Sequence, residues 1–88
     1  MNMIRIDINI KGFDPVFDDL REMANILAKR ENQETMLVAW SDKKQNKHSP
    51  CCIKCQIGDE PGWEVYGRNH EGRLRISFNN DEYVFIYT

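Results

Sequence analysis

The sequence contains no long apolar run and no low-complexity tract. No stretch approaches the roughly 18–20 apolar residues that a membrane-spanning helix needs, and polar residues at Asn2, Arg5 and Asp7 occupy the place where a secretion signal would be apolar. Five glycines and three prolines among 88 residues leave no linker-like segment. We therefore expect residues 1–88 to form a single folded domain in the cytoplasm, without a membrane segment.

Cysteine and net charge are also limited. The three cysteines are an odd number, which fits a disulfide framework poorly and favours a reducing compartment. The formal net charge of −2 argues against a protein that mainly binds phosphate backbones, since such domains usually carry a strong basic excess. Nucleic acid is therefore not the partner that we expect.

Alternating apolar and polar residues predict strands along most of the chain. One helix is predicted where apolar residues recur at three- and four-residue steps from Val16 to Leu27, with Asp14 as N-cap and Pro15 as the first helical residue. The predicted strands cover residues 3–10, 35–40, 51–57, 63–67, 74–78 and 83–87, and residues 41–50 are predicted to be a loop. These elements indicate an α+β fold in which one helix packs on a curved, mainly antiparallel sheet of five to six strands.

The last predicted strand, residues 83–87, is apolar on both faces. Such a strand lies in the centre of a sheet, is covered on both sides, or joins a partner. Because the chain is also small, we expect a homodimer.

The basic segment, residues 43–55, gathers all three cysteines, one of the two histidines and four lysines without an acid. A local excess of lysines attracts anions over about 8–10 Å in physiological salt. We therefore predict a surface for an anionic ligand or protein partner, formed by this segment and the loop at residues 68–72. Its candidate residues are Lys43, Lys44, Lys47, His48, Arg68 and His70.

A zinc-like or thiol site in the basic segment is the competing hypothesis. Its candidate metal ligands are His48, Cys52 and Cys55, with His70 as a fourth. A tetrahedral site requires an irregular knuckle, since residues four apart on a strand are about 13 Å apart. If the segment is a regular strand, Cys51 and Cys55 are core residues instead, and no cofactor is expected.

Enzymatic activity has little support in the sequence. Neither a nucleophile elbow nor a recognisable triad accompanies Ser49 and the histidines, so we expect a binding domain rather than an enzyme. A second alternative is a nucleic-acid-binding sheet face of basic and aromatic residues. That face would include Tyr66, Arg68, Arg73 and Arg75.

The second half of the chain resembles a known group of proteins. The residues that carry the resemblance are the segments 61–70, 74–78 and 83–87, together with the lysine loop that leads to His48, Ser49 and Pro50. They resemble small single-domain prokaryotic proteins classed as a domain of unknown function. The resemblance implies a compact α+β domain and no established activity, so it assigns no role to any residue.

Overall fold

A computed structural model describes residues 3–51 and 56–88 of the chain. Seven strands and two helices are present in this part. In chain order they are β1 (Ile4–Ile8), α1 (Phe17–Glu31), β2 (Leu37–Asp42), β3 (Lys47–Ser49), β4 (Gln56–Ile57), β5 (Glu60–Pro61), α2 (Gly62–Asn69), β6 (Leu74–Phe78) and β7 (Tyr83–Tyr87).

Five of these strands form one mixed sheet, in the order β1-β6-β7-β2-β3. Strand β1 runs parallel to β6, and the other neighbours are antiparallel. Strands β4 and β5 form a separate two-stranded ribbon. The α+β class with a mainly antiparallel sheet is therefore confirmed, whereas the parallel β1–β6 pair differs from the expected strand order.

The two helices pack on opposite faces of the sheet. Helix α1 covers one face through Leu20, Ala24 and Ala28, and α2 covers the other face above β2 and β7. The core on the α1 side contains Leu20, Ala24, Ala28, Leu74, Ile76, Phe78, Tyr83, Phe85 and Tyr87. The core on the α2 side contains Ala39, Trp63, Val84 and Ile86.

Strand β7 lies in the centre of the sheet, and all five of its side chains are buried. Tyr83, Phe85 and Tyr87 belong to the core on the α1 side, whereas Val84 and Ile86 belong to the core on the α2 side. Of the three alternatives for this strand, the structure shows a central strand that is covered on both faces. Because one chain already buries both faces of β7, a homodimer would have to use another surface.

The predicted strand at residues 63–67 is wrong, because these residues lie in helix α2. Position 67 of this helix is a glycine because the helix backbone there lies against β2 and β7. A Cβ atom at this position would lie only 3.0 Å from Ile86 Cδ1 and 3.2 Å from Ala39 Cβ. The buried positions of α2 include Trp63, Val65 and Gly67, an alternation that imitates the period of a strand.

Helix α1 begins later than predicted. Its N-cap is Val16, which provides no side-chain cap, rather than Asp14. The two residues expected at the start of the helix make tertiary contacts instead. Asp14 binds Lys44, and the carbonyl of buried Pro15 accepts a hydrogen bond from Tyr83 at 3.4 Å.

The predicted loop at residues 41–50 is also wrong, because most of it is a β-hairpin. Strand β2 continues to Asp42, and β3 pairs with it through Asp42–Lys47 and Ser41–His48. In the predicted strand at residues 51–57, Cys51 is exposed rather than a core residue, residues 52–55 lie outside the described part, and Gln56–Ile57 form β4.

Candidate ligand-binding surfaces

The β2–β3 hairpin brings three lysines to one exposed tip. Lys43 and Lys44 lie in its four-residue turn, and Lys47 is the first residue of β3. The turn closes through a hydrogen bond from the Asn46 amide to the Lys43 carbonyl at 3.3 Å, and Asn46 has φ of 54°. Asparagine tolerates this left-handed conformation better than most residues, so the sequence favours a tight turn here.

The fold supplies acidic neighbours that the local sequence lacks. Lys44 Nζ lies 2.6 Å from Asp14 Oδ1, and this hydrogen bond raises the pKa of Lys44. Lys43 and Lys47 form no ion pair with any residue in the described ranges. These two lysines are therefore the ones that can meet an anionic partner without first breaking a salt bridge.

His48 lies on β3 and is half-buried. Its Nδ1 lies 2.9 Å from the carbonyl oxygen of Pro50. Because a carbonyl only accepts, Nδ1 is the donor in this contact, and Nε2 is the ring nitrogen that a metal would use. The other two predicted ligands, Cys52 and Cys55, lie outside the described residues, so the zinc hypothesis stays a prediction. The described ranges themselves contain no cluster of three or more metal-binding side chains.

Arg68 and His70 lie at the C-terminal end of α2, and both make local contacts. Arg68 forms a bidentate ion pair with Glu60, at 2.7 and 2.9 Å, which lowers the pKa of Glu60. The His70 ring stacks on Tyr66 with 3.8 Å between ring centroids, and its Nδ1 lies 2.8 Å from the Tyr66 carbonyl oxygen.

The two halves of the predicted ligand surface lie at opposite ends of the sheet. The hairpin tip follows Asp42, which pairs with Tyr83, and Tyr83 pairs with Phe78. The loop after α2 enters β6 at Leu74, which pairs with Tyr87 at the other end. The structure therefore brings the three hairpin lysines and His48 together, but it does not bring Arg68 and His70 to them.

The basic and aromatic sheet face suggested for nucleic acid is absent from the described structure. Tyr66 and Arg68 lie on α2 rather than on a strand, and Arg73 is exposed just before β6. Arg75 is on β6 but only 5% exposed, because α2 covers that face of the sheet. The alternation that suggested this face is the one that wrongly predicted a strand at residues 63–67.

Arg75 is the buried centre of a polar network that the sequence did not reveal. Its Nε donates to Glu64 Oε2 at 2.7 Å and its Nη1 to Asp81 Oδ1 at 3.1 Å. Ser77 Oγ also donates to Asp81, at 2.6 Å. Burial opposes the charge of Arg75, but these carboxylates outweigh it and raise the Arg75 pKa. The hydrogen bond from Arg75 in turn lowers the pKa of Asp81. The network joins α2 to the β6–β7 turn and therefore has a structural explanation.

Two clefts of the described surface are open and carry both signs of charge. One, about 610 Å³, lies between β1 and the C-terminal half of α2. Its lining includes two arginines and two glutamates. The lining residues are Met3, Arg5, Glu64, Arg68, Asn69, Glu71 and Gly72. A cleft of about 350 Å³ beside the hairpin contains Trp40 and Lys47 but also two carboxylates, Asp18 and Asp42. Neither cleft concentrates positive charge for a small anion.

These features define a small α+β domain with a basic hairpin tip and with a helix on each face of its sheet. The chain belongs to a family of unknown function, since its residues 3–87 match the model described as domain of unknown function DUF5619. The resemblance found in the sequence is thereby confirmed. No helix in the described ranges is long and apolar enough to cross a membrane.

A solved structure shows the same fold. The crystal structure of AF1514 from Archeoglobus fulgidus DSM 4304, described as a novel protein, is similar to this chain with a TM-score of 0.79. The two sequences are 23% identical, and the match covers 98% of this chain and 93% of AF1514. No curated protein matches the chain.

Proposed function

We propose that this chain is a non-enzymatic interaction domain of the cytoplasm that acts as a homodimer and binds an acidic protein surface at its hairpin tip. The observation that carries the proposal is the placement of Lys43, Lys44 and Lys47 within five residues at one exposed hairpin tip. Three ammonium groups on a short turn attract carboxylates and suppress binding of basic partners.

The contact between Lys44 and Asp14 supports an acidic protein as the partner. Here a carboxylate already lies 2.6 Å from an ammonium group at the tip, in the arrangement that acidic side chains of a partner would use. A small anion is less suitable, because the neighbouring cleft contains Asp18 and Asp42. A protein surface can contact the lysines from outside without entering that cleft.

Charge reversal at the tip tests the proposal. The variant Lys43→Glu/Lys47→Glu should bind a short poly-glutamate peptide about tenfold more weakly or worse, because two attractions become repulsions. The matched control is Lys29→Glu/Arg73→Glu, which changes the net charge equally. Both of its positions are exposed near the opposite end of the sheet, so binding should stay close to that of the unaltered protein. Titration calorimetry at low and high salt measures both.

Three results would contradict this function. If both variants lose affinity equally, the peptide detects net charge and not the hairpin. If the unaltered protein does not bind poly-glutamate even at low salt, the acidic partner is wrong. If single-stranded RNA binds more tightly than poly-glutamate and depends on the same lysines, the partner is a nucleic acid. Circular dichroism melting curves establish that every variant is folded.

A further inference from the structure

The two edges of the five-stranded sheet differ in their protection against pairing. Strand β3 has three residues, begins with Lys47 and is followed by Pro50, and short length, lysine and proline all discourage pairing with another chain. Strand β1 has five residues, Ile4-Arg5-Ile6-Asp7-Ile8, with neither lysine nor proline. No described element lies beyond β1, so its outer edge is open within the described structure.

The backbone of β1 presents the groups of Arg5 and Asp7 at this open edge. The Ile4 amide donates to the Arg73 carbonyl at 2.8 Å, and the Ile8 carbonyl accepts from the Asn79 amide at 2.8 Å. The even-numbered residues therefore direct their main-chain groups toward β6. Because neighbouring residues of a strand point to opposite sides, Arg5 and Asp7 direct theirs outward.

We propose that β1 pairs antiparallel with β1 of a second copy, about a twofold axis at Ile6. In this register Arg5 lies opposite Asp7 of the second copy, and Asp7 lies opposite its Arg5. These are the residues whose main-chain groups point outward, so each pair exchanges both backbone hydrogen bonds. The inference rests on the homodimer of the proposed function and identifies its interface.

In the same register, the side chains of the two β1 strands are complementary across the twofold axis. Arg5 and Asp7 pair in β1–β6 with Arg75 and Ser77 and so lie on the α2 face, where the dimer forms two Arg–Asp pairs across the axis. On the α1 face Ile6 meets Ile6, and Ile4, which is 50% exposed, meets Ile8. Cross-strand pairs of opposite charge and of β-branched residues both stabilise antiparallel sheets.

Neighbouring registers are unfavourable, which makes this one specific. Moving the axis to Arg5 places two arginines opposite each other, and moving it to Asp7 places two aspartates opposite each other. Like charges directly opposite are destabilising. A shift by one residue turns isoleucines to the charged face of the sheet. A parallel arrangement in register also pairs Arg5 with Arg5, so charge complementarity selects the antiparallel dimer centred on Ile6.

Helix α1 extends the apolar part of this interface. Phe17 packs against Trp40 of β2 with 4.8 Å between ring centroids, so this flank of the helix faces β2. Met23 lies six residues later and thus on the flank that is turned away from β2. It is 37% exposed, and the neighbouring Ile26 is 64% exposed. A second copy paired along β1 reduces the exposure of this flank.

A charge-swap cycle tests the interface. Arg5→Asp places two aspartates opposite each other at both pairs, and Asp7→Arg places two arginines there. Each variant should weaken dimerisation about tenfold or more in sedimentation equilibrium. The double variant Arg5→Asp/Asp7→Arg restores opposite charges and should recover most of the affinity. Arg5 and Asp7 are exposed, so the subunit should stay folded, which circular dichroism checks.

The possible outcomes separate this interface from the proposed function. If the unaltered protein is a monomer at every concentration, both the homodimer and the β1 interface are wrong, although poly-glutamate binding is unaffected. If it is a dimer that neither single variant weakens, the homodimer stands and the β1 interface is overturned. If the single variants weaken the dimer and the double variant does not recover, the register centred on Ile6 is overturned.

Discussion

Arg75 shows how a single side chain connects helix α2 to the sheet that this helix covers. Its planar guanidinium donates in two directions at once, to Glu64 on α2 and to Asp81 in the β6–β7 turn. A lysine has one compact charge and could not reproduce this fork. The left-handed φ of Asp81, 67°, keeps its carboxylate near both Arg75 and Ser77. The turn, the strand and the helix therefore depend on one buried cation.

Removing this cation should be costly. Arg75→Met keeps most of the packing but leaves Glu64, whose side chain is 15% exposed, without its partner. Breaking a buried ion pair on one side costs about 3–5 kcal/mol, and the partial exposure of Asp81 reduces this to about 2–4 kcal/mol. The control Arg73→Met changes an exposed arginine two residues earlier and should cost at most about 0.5 kcal/mol. Urea unfolding curves measure both, and equal losses would contradict the structural role of the network.

Tyr87 predicts a loss of stability in alkali. Burial raises its pKa to about 12, and its hydroxyl donates to Asn25 Oδ1. A raised folded-state pKa favours the neutral phenol. The contribution of Tyr87 to the free energy of unfolding is therefore complete below the ordinary pKa of about 10, and it disappears as the pH rises through about 12. The shift corresponds to about 2–3 kcal/mol.

The control for this prediction is Tyr87→Phe, which has no phenol to ionise. It should be less stable than the unaltered protein near neutrality, and the difference should shrink between about pH 10 and 12. Burial also raises the pKa of Tyr83, but this effect is present in both proteins and cancels in the comparison. Denaturant unfolding at several pH values gives the difference, and a constant difference would contradict the assignment.

Elements with one clear period were predicted correctly from the sequence. Strand β1 alternates isoleucines with charged residues, and α1 carries an apolar stripe at helical spacing. The cause is that each contributes one face to a single core. The apolar residues on both faces of β7 left a central, a covered and a partner-joined strand open, and each face packs on a core of the same chain. In these elements local pattern and tertiary environment agree.

Helix α2 and the start of α1 were predicted poorly. Gly62, Trp63, Val65 and Gly67 of α2 are all buried, so the helix has no clean three- and four-residue period. The start of α1 was misplaced because distant residues, Lys44 and Tyr83, contact Asp14 and Pro15. The residue pattern within a short stretch of the sequence contains no information about such distant contacts.

The candidate surface was predicted in composition but not in arrangement. The predicted lysines Lys43, Lys44 and Lys47 are neighbours along the chain, and the structure places them at one hairpin tip. The sequence could not indicate that Arg68 and His70 lie at the other end of the sheet, because that depends on the strand order. The open edge of β1 could not be predicted either, because it depends on the order of the strands in the sheet.

At the scale of the whole molecule, one sheet belongs to two cores. Along β7, Val84 and Ile86 pack on the α2 side while Phe85 packs on the α1 side. Neither layer can lose its packing without exposing residues of the same central strand. Such sharing favours a cooperative transition in a domain of this size.

The two tryptophans allow this cooperativity to be measured. Trp40 packs on the α1 side against Phe17, whereas Trp63, 6% exposed, lies in the core on the α2 side. In Trp63→Phe the fluorescence of Trp40 reports one layer, and in Trp40→Phe the fluorescence of Trp63 reports the other. Within each variant, fluorescence and far-ultraviolet circular dichroism should give the same urea midpoint at a fixed protein concentration.

Comparison within each variant removes the cost of the substitution itself, since both signals come from one protein. An earlier midpoint for Trp63 fluorescence than for circular dichroism would mean that α2 separates from the sheet before the rest unfolds. That result would contradict the shared core, because Val84 and Ile86 would then lose their cover while β7 stayed paired. Coincident midpoints are expected, since the short helix α2 is held through Trp63 packed on the sheet and through Glu64 bound to Arg75.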